Sequence, residues 1–93
     1  MLSKIDSEIL FFFPDKIKVK LKEVPESVWR KATEIRIRVG QAILISCFDE
    51  EIFISYIPSY EDITRLIENF SDNSIYSIQN EINSGFITIK GRT

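Results

Sequence analysis

The stretch EIRIRVGQAILIS, residues 34–46, decides the fold of this 93-residue chain. Its first half alternates apolar side chains with Arg36 and Arg38, and a period of two is typical of a strand with one buried face. Gly40 follows at the first central position of a two-residue turn, which predicts a type II′ hairpin. Residues 43–46 then form the return strand, so the stretch predicts two antiparallel strands.

Two more strands complete the predicted sheet. The residues CFDE at 47–50 read as a looser turn into a strand over 51–56, and Pro58 ends that run. The alternation in FITIK, residues 86–90, predicts a further strand. We therefore expect a small antiparallel sheet of about four strands.

A helix is predicted directly after this run. Ser59 followed by Asp62 resembles a capping box, in which a hydroxyl and a carboxylate satisfy amide groups of the first turn. Apolar side chains then recur every three or four residues over 63–70. This spacing predicts an amphipathic helix that faces a core.

A second helix is predicted after the polar break SDNS at 71–74. Ile75, Ile78 and Ile82 repeat the spacing of three and four residues. Gly85 follows where a helix commonly ends in a left-handed residue. We therefore expect this helix to end at the glycine, immediately before the strand over 86–90.

The first third of the chain allows two interpretations. KIKVKLK at 16–22 alternates strictly, which favours a strand with a lysine face, but Ile17, Leu21 and Val24 also lie at helical spacing. Pro14 suits the start of a helix, and lysine is tolerated well in helices. We favour the helix and leave the strand as the alternative for this segment.

A further short helix is predicted from Pro25 and Glu26, carrying Val28, Trp29 and Ala32. Its last turn runs into the first strand. The fold class is therefore α+β, with a small antiparallel sheet flanked by N-terminal and C-terminal helices. We expect the whole chain, residues 1–93, to be a single domain.

Composition narrows the classes of function. The net charge is −2, and the chain has no histidine, the commonest general base and zinc ligand. Cys47 is the only cysteine, so we interpret it as a small apolar core residue. The apolar run at 9–13 is too short for a membrane span, which takes roughly 20 residues. We expect a cytoplasmic domain without a catalytic, cofactor-binding or metal-binding residue.

Charge is distributed unevenly along the chain. Residues 1–46 carry a net charge of +3, and residues 47–93 carry a net charge of −5. The asymmetry is compatible with a basic patch for nucleic acid. We favour solvated faces of one compact domain, because the chain as a whole is acidic.

A motif-like stretch at the C-terminus reads as ordinary structure. Residues 85–93 approximate a phosphate-binding P-loop, but the two glycines are one residue too far apart and Arg92 replaces the lysine. The residues between the glycines read as a strand, and no helix follows to receive a phosphate at its N-terminus. We therefore assign no nucleotide site to this stretch.

Two further clusters have plain interpretations. The adjacent carboxylates at 49–51 point in different directions, so we expect a solvated turn and not a metal site. The aromatic residues at 11–13, together with Trp29, are predicted to lie in the core. An exposed aromatic docking patch is the alternative for the aromatic cluster.

Arg36 and Arg38 are the candidate site residues. Both are predicted on one face of a strand whose other face is apolar. Arginine binds planar oxyanions through paired hydrogen bonds and keeps its charge when partly buried. The pair could meet a phosphate or a carboxylate of another domain, and ordinary surface arginines are the alternative.

Two stretches share their order and spacing with a known family. They are EIRIRVGQ at 34–41 and the run from 60 to 91, in which GFITI at 85–89 is the most specific part. Together they resemble the N-terminal region of the stage III sporulation protein AA family. The resemblance covers essentially the whole chain.

The resemblance implies a non-catalytic N-terminal domain that precedes a P-loop ATPase domain, similar to the ATPases of type II and type IV secretion systems. ATP and Mg²⁺ would belong to that ATPase domain, which we expect to be absent from this chain. Family members continue past Gly91 with a further glycine and a histidine, whereas Arg92 and Thr93 stand here. The chain is then either an N-terminal domain expressed by itself or a truncated gene product.

The resemblance also implies partners and a location. The expected partners are the missing ATPase domain and other proteins of the sporulation channel, with a homo-oligomer when the protein is full length. The expected location is the cytoplasmic, mother-cell side of the channel. Arg36 and Arg38 would then face the nucleotide. A stand-alone module that binds nucleic acid through these arginines and the N-terminal lysines is the alternative.

Overall fold

The computed structural model describes residues 7–71 and 76–91 and folds them into an antiparallel sheet with helices. The strands are β1 Ala32–Arg38, β2 Ile43–Cys47, β3 Glu51–Ile54, β4 Tyr76–Glu81 and β5 Phe86–Gly91. The helices are α1 Asp15–Leu21, α2 Glu26–Trp29 and α3 Tyr60–Phe70, with short 3₁₀ helices at Ser7–Phe12 and Ile82–Ser84. The predicted α+β class is confirmed, with one strand more than expected among the described residues.

The strand order across the sheet is β3-β2-β1-β5-β4, and all neighbouring strands are antiparallel. β1 is therefore the central strand, bonded to β2 on one side and to β5 on the other. Its register with β2 shifts between Ala32 and Glu34. The Thr33 hydroxyl donates to the Ser46 carbonyl across this irregularity at 3.1 Å, which keeps the two strands joined there.

The core lies on one side of the sheet, which we call the covered face. The covered-face side chains that are fully buried are Ile35, Ile37, Ile43, Ile45, Ile87 and Ile89. The helices contribute buried side chains to the same cluster, among them Ile17, Leu21, Ile63, Leu66 and Phe70. The described fold is thus a layer of helices against one face of a sheet.

Helix α3 begins with the predicted capping box. The Ser59 hydroxyl accepts from the Asp62 amide at 3.3 Å, and the Asp62 carboxylate accepts from the Ser59 amide at 3.0 Å. The Tyr56 hydroxyl donates to the same carboxylate oxygen at 2.7 Å. These bonds satisfy a carboxylate that is buried, so the start of α3 is fixed in place.

The N-terminal segment takes the helical alternative. In α1, Ile17 and Leu21 lie one turn apart and are buried, while Pro14 precedes the first helical residue. The short helix after Pro25 is also confirmed. Ala32, predicted on that helix, is instead the first residue of β1.

The helix predicted over 75–82 is wrong. Tyr76–Glu81 is strand β4, which pairs along its length with β5 and sets Ile78 opposite Ile89. The isoleucine spacing fits a helix, but the segment forms a hairpin with the next strand, β5, whose backbone bonds favour the strand. Ile75 and the break at 72–74 lie outside the described residues. Gly85 follows a 3₁₀ turn with a φ of 63° and does not end an α-helix.

The turn between β1 and β2 differs from the prediction by one residue. The Gln41 amide donates to the Arg38 carbonyl at 3.1 Å, so the turn spans 38–41 and Gly40 takes its second central position. Gly40 has a φ of 83°, and no other residue of this turn has a positive φ. A positive φ at the second central position alone is the pattern of a type II turn.

The aromatic cluster is divided between core and surface. Phe13 and Trp29 are buried as predicted, and the Phe12 ring packs on Phe70 with centroids 5.0 Å apart. Phe11 is 81% exposed, so it does not belong to the core. The third predicted strand is confirmed as β3, although it ends at Ile54 and not at residue 56.

Candidate interdomain surface

The second side of the sheet, which we call the open face, lies opposite the helices. It carries side chains that alternate with the covered isoleucines, among them Glu34, Arg36, Arg38, Leu44, Phe53, Phe86, Thr88 and Lys90. Leu44, Phe53 and Phe86 do not join the core cluster. On this face Arg36, Arg38, Phe53 and Lys90 are exposed, whereas Thr88 is buried.

Arg36 lies at the middle of this face on the central strand. Its cross-strand neighbours are Leu44 on β2 and Thr88 on β5. The Arg36 Nε donates to the Glu34 carboxylate at 2.8 Å, and this hydrogen bond raises the pKa of Arg36 above its ordinary value. This hydrogen bond occupies the Arg36 Nε and orients the planar guanidinium. The two Nη atoms are the remaining donors of the group.

Arg38 lies two residues further along the same face. It is exposed, and its guanidinium carbon lies 5.6 Å from the centre of the Phe86 ring. Phe86 is the residue that β5 places directly opposite Arg38. The cation–π contact limits the positions that the arginine side chain takes. The structure therefore brings the two predicted arginines to one face, each held by a neighbour.

Lys90 adds a third basic residue to the open face. It lies opposite Glu34 in the β1–β5 register and is exposed. Sequence reasoning missed Lys90, Phe86 and the Glu34 contact. The alternation in 86–90 predicts a strand, but it does not tell which strand lies beside it, so the cross-strand neighbours could not be read from the chain.

The other candidate residues have structural surroundings. Lys31 Nζ lies 3.6 Å from an Asp49 oxygen and 3.7 Å from a Glu50 oxygen, so these two carboxylates pair with a lysine. In the described part of the chain, no group of three or more acidic, histidine or cysteine side chains is arranged to hold a metal. Cys47 is buried, and burial raises the pKa of its thiol, as suits a core residue.

The stretch that approximates a P-loop is extended backbone as far as it is described. Residues Phe86–Gly91 form β5, which is bonded to strands on both sides. Arg92 and Thr93 lie outside the described residues. A strand inside a sheet does not offer the ring of free amides that a phosphate needs.

The α1 lysines and the arginine pair lie on different layers of the described fold. The lysines of α1 belong to the helical layer on the covered face, whereas Arg36 and Arg38 lie on the open face. The structure does not combine them into one patch. Among the described helices, none has the length and apolar character needed to cross a membrane.

Comparison with known proteins identifies the family. The model of the family described as "Sporulation stage III, protein AA" matches residues 6–93. The chain belongs to this family. It is similar to the stage III sporulation protein AA of Bacillus subtilis (strain 168), with 29% identity over 85 residues. No solved structure matches the chain.

The match covers 91% of this chain but 28% of the Bacillus subtilis protein. The chain therefore spans less than a third of the length of this relative. Membership of the sporulation stage III protein AA family gives the chain a sporulation-related role.

Proposed function

We propose that this chain is the non-catalytic N-terminal domain of a sporulation-channel ATPase, and that its open face packs against the ATPase domain. The observation that carries the proposal is the pair of exposed arginines on the open face of the central strand. The similarity to 28% of a longer sporulation protein supports a role as one domain among others. In this role the domain regulates and assembles the ATPase.

The open face has the properties of a domain interface. It exposes apolar side chains, with Phe53 at 67% and Phe86 partly buried, between fixed charged groups. Interfaces between domains combine such apolar contacts with polar groups. Because the face belongs to a sheet whose other side is packed, its side chains keep their relative positions when a partner binds.

The two arginines would face the nucleotide that the ATPase domain binds with Mg²⁺. A guanidinium stabilises the negative charge that develops on the terminal phosphate during transfer. The bond from Arg36 to Glu34 and the contact of Arg38 with Phe86 hold both groups in place before a phosphate arrives. Closure of this domain onto the ATPase domain would then couple assembly to turnover.

The proposal includes partners and a location. The partners are the ATPase domain, other proteins of the sporulation channel and further copies in a full-length oligomer. The location is the cytoplasmic, mother-cell side of the channel. Binding of nucleic acid is the alternative function, and the separation of the α1 lysines from the arginines makes it the weaker candidate.

The test is ATP hydrolysis by a full-length family member that carries this domain with Arg36→Ala and Arg38→Ala. We expect a fall in kcat of about tenfold or more, because both charges near the phosphate are removed. The control is Arg65→Ala, since Arg65 is an exposed arginine on α3 in the helical layer. It should leave kcat unchanged.

Two outcomes would contradict the proposal. If the double variant hydrolysed ATP at the wild-type rate, the two arginines would have no role at the nucleotide. A steep, salt-dependent affinity of the chain for RNA or DNA that the double variant loses would instead favour the nucleic-acid module.

A further inference from the structure

Strand β3 is an edge of the sheet. It is bonded to β2 on one side, with Phe53 opposite Leu44 and Ile52 opposite Ile45. The β2–β3 hairpin closes with a bond from the Cys47 amide to the Glu50 carbonyl at 2.8 Å. An exposed edge of this kind offers unpaired backbone donors and acceptors to another strand.

The direction of these free backbone groups follows from the hairpin. Bonded and non-bonded pairs alternate along antiparallel strands, so the bonded pair at residues 47 and 50 is followed by bonded pairs at Ile52 and Ile54. The amide and carbonyl groups of Glu51 and Phe53 therefore point away from β2. They face outward along the edge, where a further strand would accept and donate.

A groove runs beside this edge. It has a volume of about 220 Å³ and lies between β3 and the segment that joins α1 to α2. Val24 and Pro25 form one wall, and Ile52 and Ile54 form part of the other. On the open face, the Phe53 ring is 67% exposed. A strand added to the edge would bury apolar side chains on both faces of the sheet.

The sequence of β3 is suited to pairing with itself. When two copies meet in antiparallel fashion with Phe53 opposite Phe53, Ile52 lies opposite Ile54 and Glu51 lies opposite Ser55. This register places like faces together and separates the Glu51 carboxylates, so no like charges are directly opposed. It also uses the outward backbone groups of Glu51 and Phe53.

The charges of the groove are also self-complementary. One cation, Lys20, and one anion, Glu23, line it. A two-fold interface repeats every contact, so a contact of Lys20 with Glu23 of the second copy would occur twice. A second copy therefore brings no excess of either charge to the groove.

We propose that β3 pairs with β3 of a second copy of this chain, in the register centred on Phe53, to give a continuous sheet across a two-fold axis. The interface is small, because β3 has four residues. Its dissociation constant is expected on the order of tens of micromolar, as for weak interfaces of small area. Phe53 belongs to the open face as well, but the pairing of two β3 edges does not require an ATPase domain.

The first test is the mass of the chain by analytical ultracentrifugation over a micromolar-to-millimolar concentration series. The wild type should pass from monomer to dimer. Phe53→Lys should weaken dimerisation by about tenfold or more, because two lysines would meet at the axis and an apolar contact is lost. The control is Phe11→Lys at another exposed phenylalanine, which should dimerise like the wild type.

The second test needs no variant. Hydrogen exchange of the wild type should show that the Phe53 amide becomes protected as concentration rises, because it points outward and gains a partner. The Ile52 amide, already bonded to β2, should exchange at the same rate throughout. A chain that stays monomeric at millimolar concentration, or a dimer whose Phe53 amide exchanges as in the monomer, would overturn the proposal.

Discussion

The two faces of the sheet differ although the same strands build them. On β1, Ile35 and Ile37 are fully buried on the covered face, while Arg36 and Arg38 are exposed on the open face. A period of two separates these sets within a single segment. The same strand therefore supplies apolar side chains to the core on one face and charged side chains for binding on the other.

This separation has a consequence for mutation. A change on the covered face is expected to act on the free energy of unfolding, whereas a change on the open face is expected to act on binding. Three predictions on the free energy of unfolding follow, from the largest expected effect to the smallest.

The largest effect is expected from Ile35→Ala on the covered face. Ile35 is fully buried at the centre of the sheet, so its removal leaves a cavity and should cost about 2–5 kcal/mol of unfolding free energy. Urea denaturation followed by circular dichroism measures this loss. The matched control is Arg36→Ala, the next residue on the opposite face.

Arg36→Ala should change stability by less than about 1 kcal/mol, because its ion pair with Glu34 lies at the surface. Equal losses in the two variants would break the comparison between the faces.

A smaller effect is expected from Gly85→Ala, at the turn before β5. Gly85 has a φ of 63°, and a Cβ there would lie 2.8 Å from Val39 Cγ2. Left-handed strain and this contact together should cost about 1–3 kcal/mol. Gly40→Ala is the control, since Gly40 has a φ of 83° but open space around it.

Comparing the two glycine variants separates the cost of backbone strain from the cost of the contact with Val39. Thermal or urea unfolding should show that Gly40→Ala loses less than Gly85→Ala, because Gly40→Ala carries the conformational strain alone. If Gly40→Ala were the more damaging, the close packing of Gly85 against Val39 would not matter for stability.

The smallest effect is expected at Tyr56, which joins β3 to α3. Burial, with the hydrogen bond to Asp62, raises the pKa of Tyr56 from 10.0 to about 12. Since the folded pKa is the higher one, this contribution to stability is complete below pH 10 and is lost as the pH rises through 12. Tyr56→Phe should cost about 1 kcal/mol at neutral pH.

Unfolding curves measured between neutral and alkaline pH test this prediction. The difference between wild type and Tyr56→Phe should shrink as the pH approaches 12. Tyr60→Phe is the control, because the exposed Tyr60 hydroxyl donates to the Asn83 carbonyl and not to a carboxylate. A constant difference across the alkaline range would count against the Tyr56–Asp62 contact.

Local patterns predicted most of the elements. The alternation around Arg36 and Arg38 predicted β1, and the pair Ser59 and Asp62 predicted the start of α3. These signals are contained within a few neighbouring residues. They specify strands and caps before the chain makes any distant contact.

The wrong helix prediction concerned a segment whose backbone partner is the next strand along the chain. Tyr76–Glu81 shows isoleucine spacing that suits a helix, yet it pairs with Phe86–Gly91 as a strand. The bonds that decide this belong to the partner strand and leave little mark on the segment itself. For the same reason, the arginine face was predicted from the sequence, but Phe86 and Lys90 as its cross-strand neighbours were not.

The order of the strands has a consequence for how fast the chain folds. β1, β2 and β3 pair with their neighbours in sequence, as do β4 and β5, so both groups form through short loops. The pairing of Arg38 with Phe86 joins the two groups, and β2, β3, α3 and β4 lie between these two residues in the chain. The entropy of closing that long loop is lost before the bonds between β1 and β5 compensate for it. Docking of the β4–β5 hairpin onto β1 is therefore the step expected to limit the refolding rate. Stopped-flow measurements can compare the refolding rates of variants in β5 with those of variants in β3.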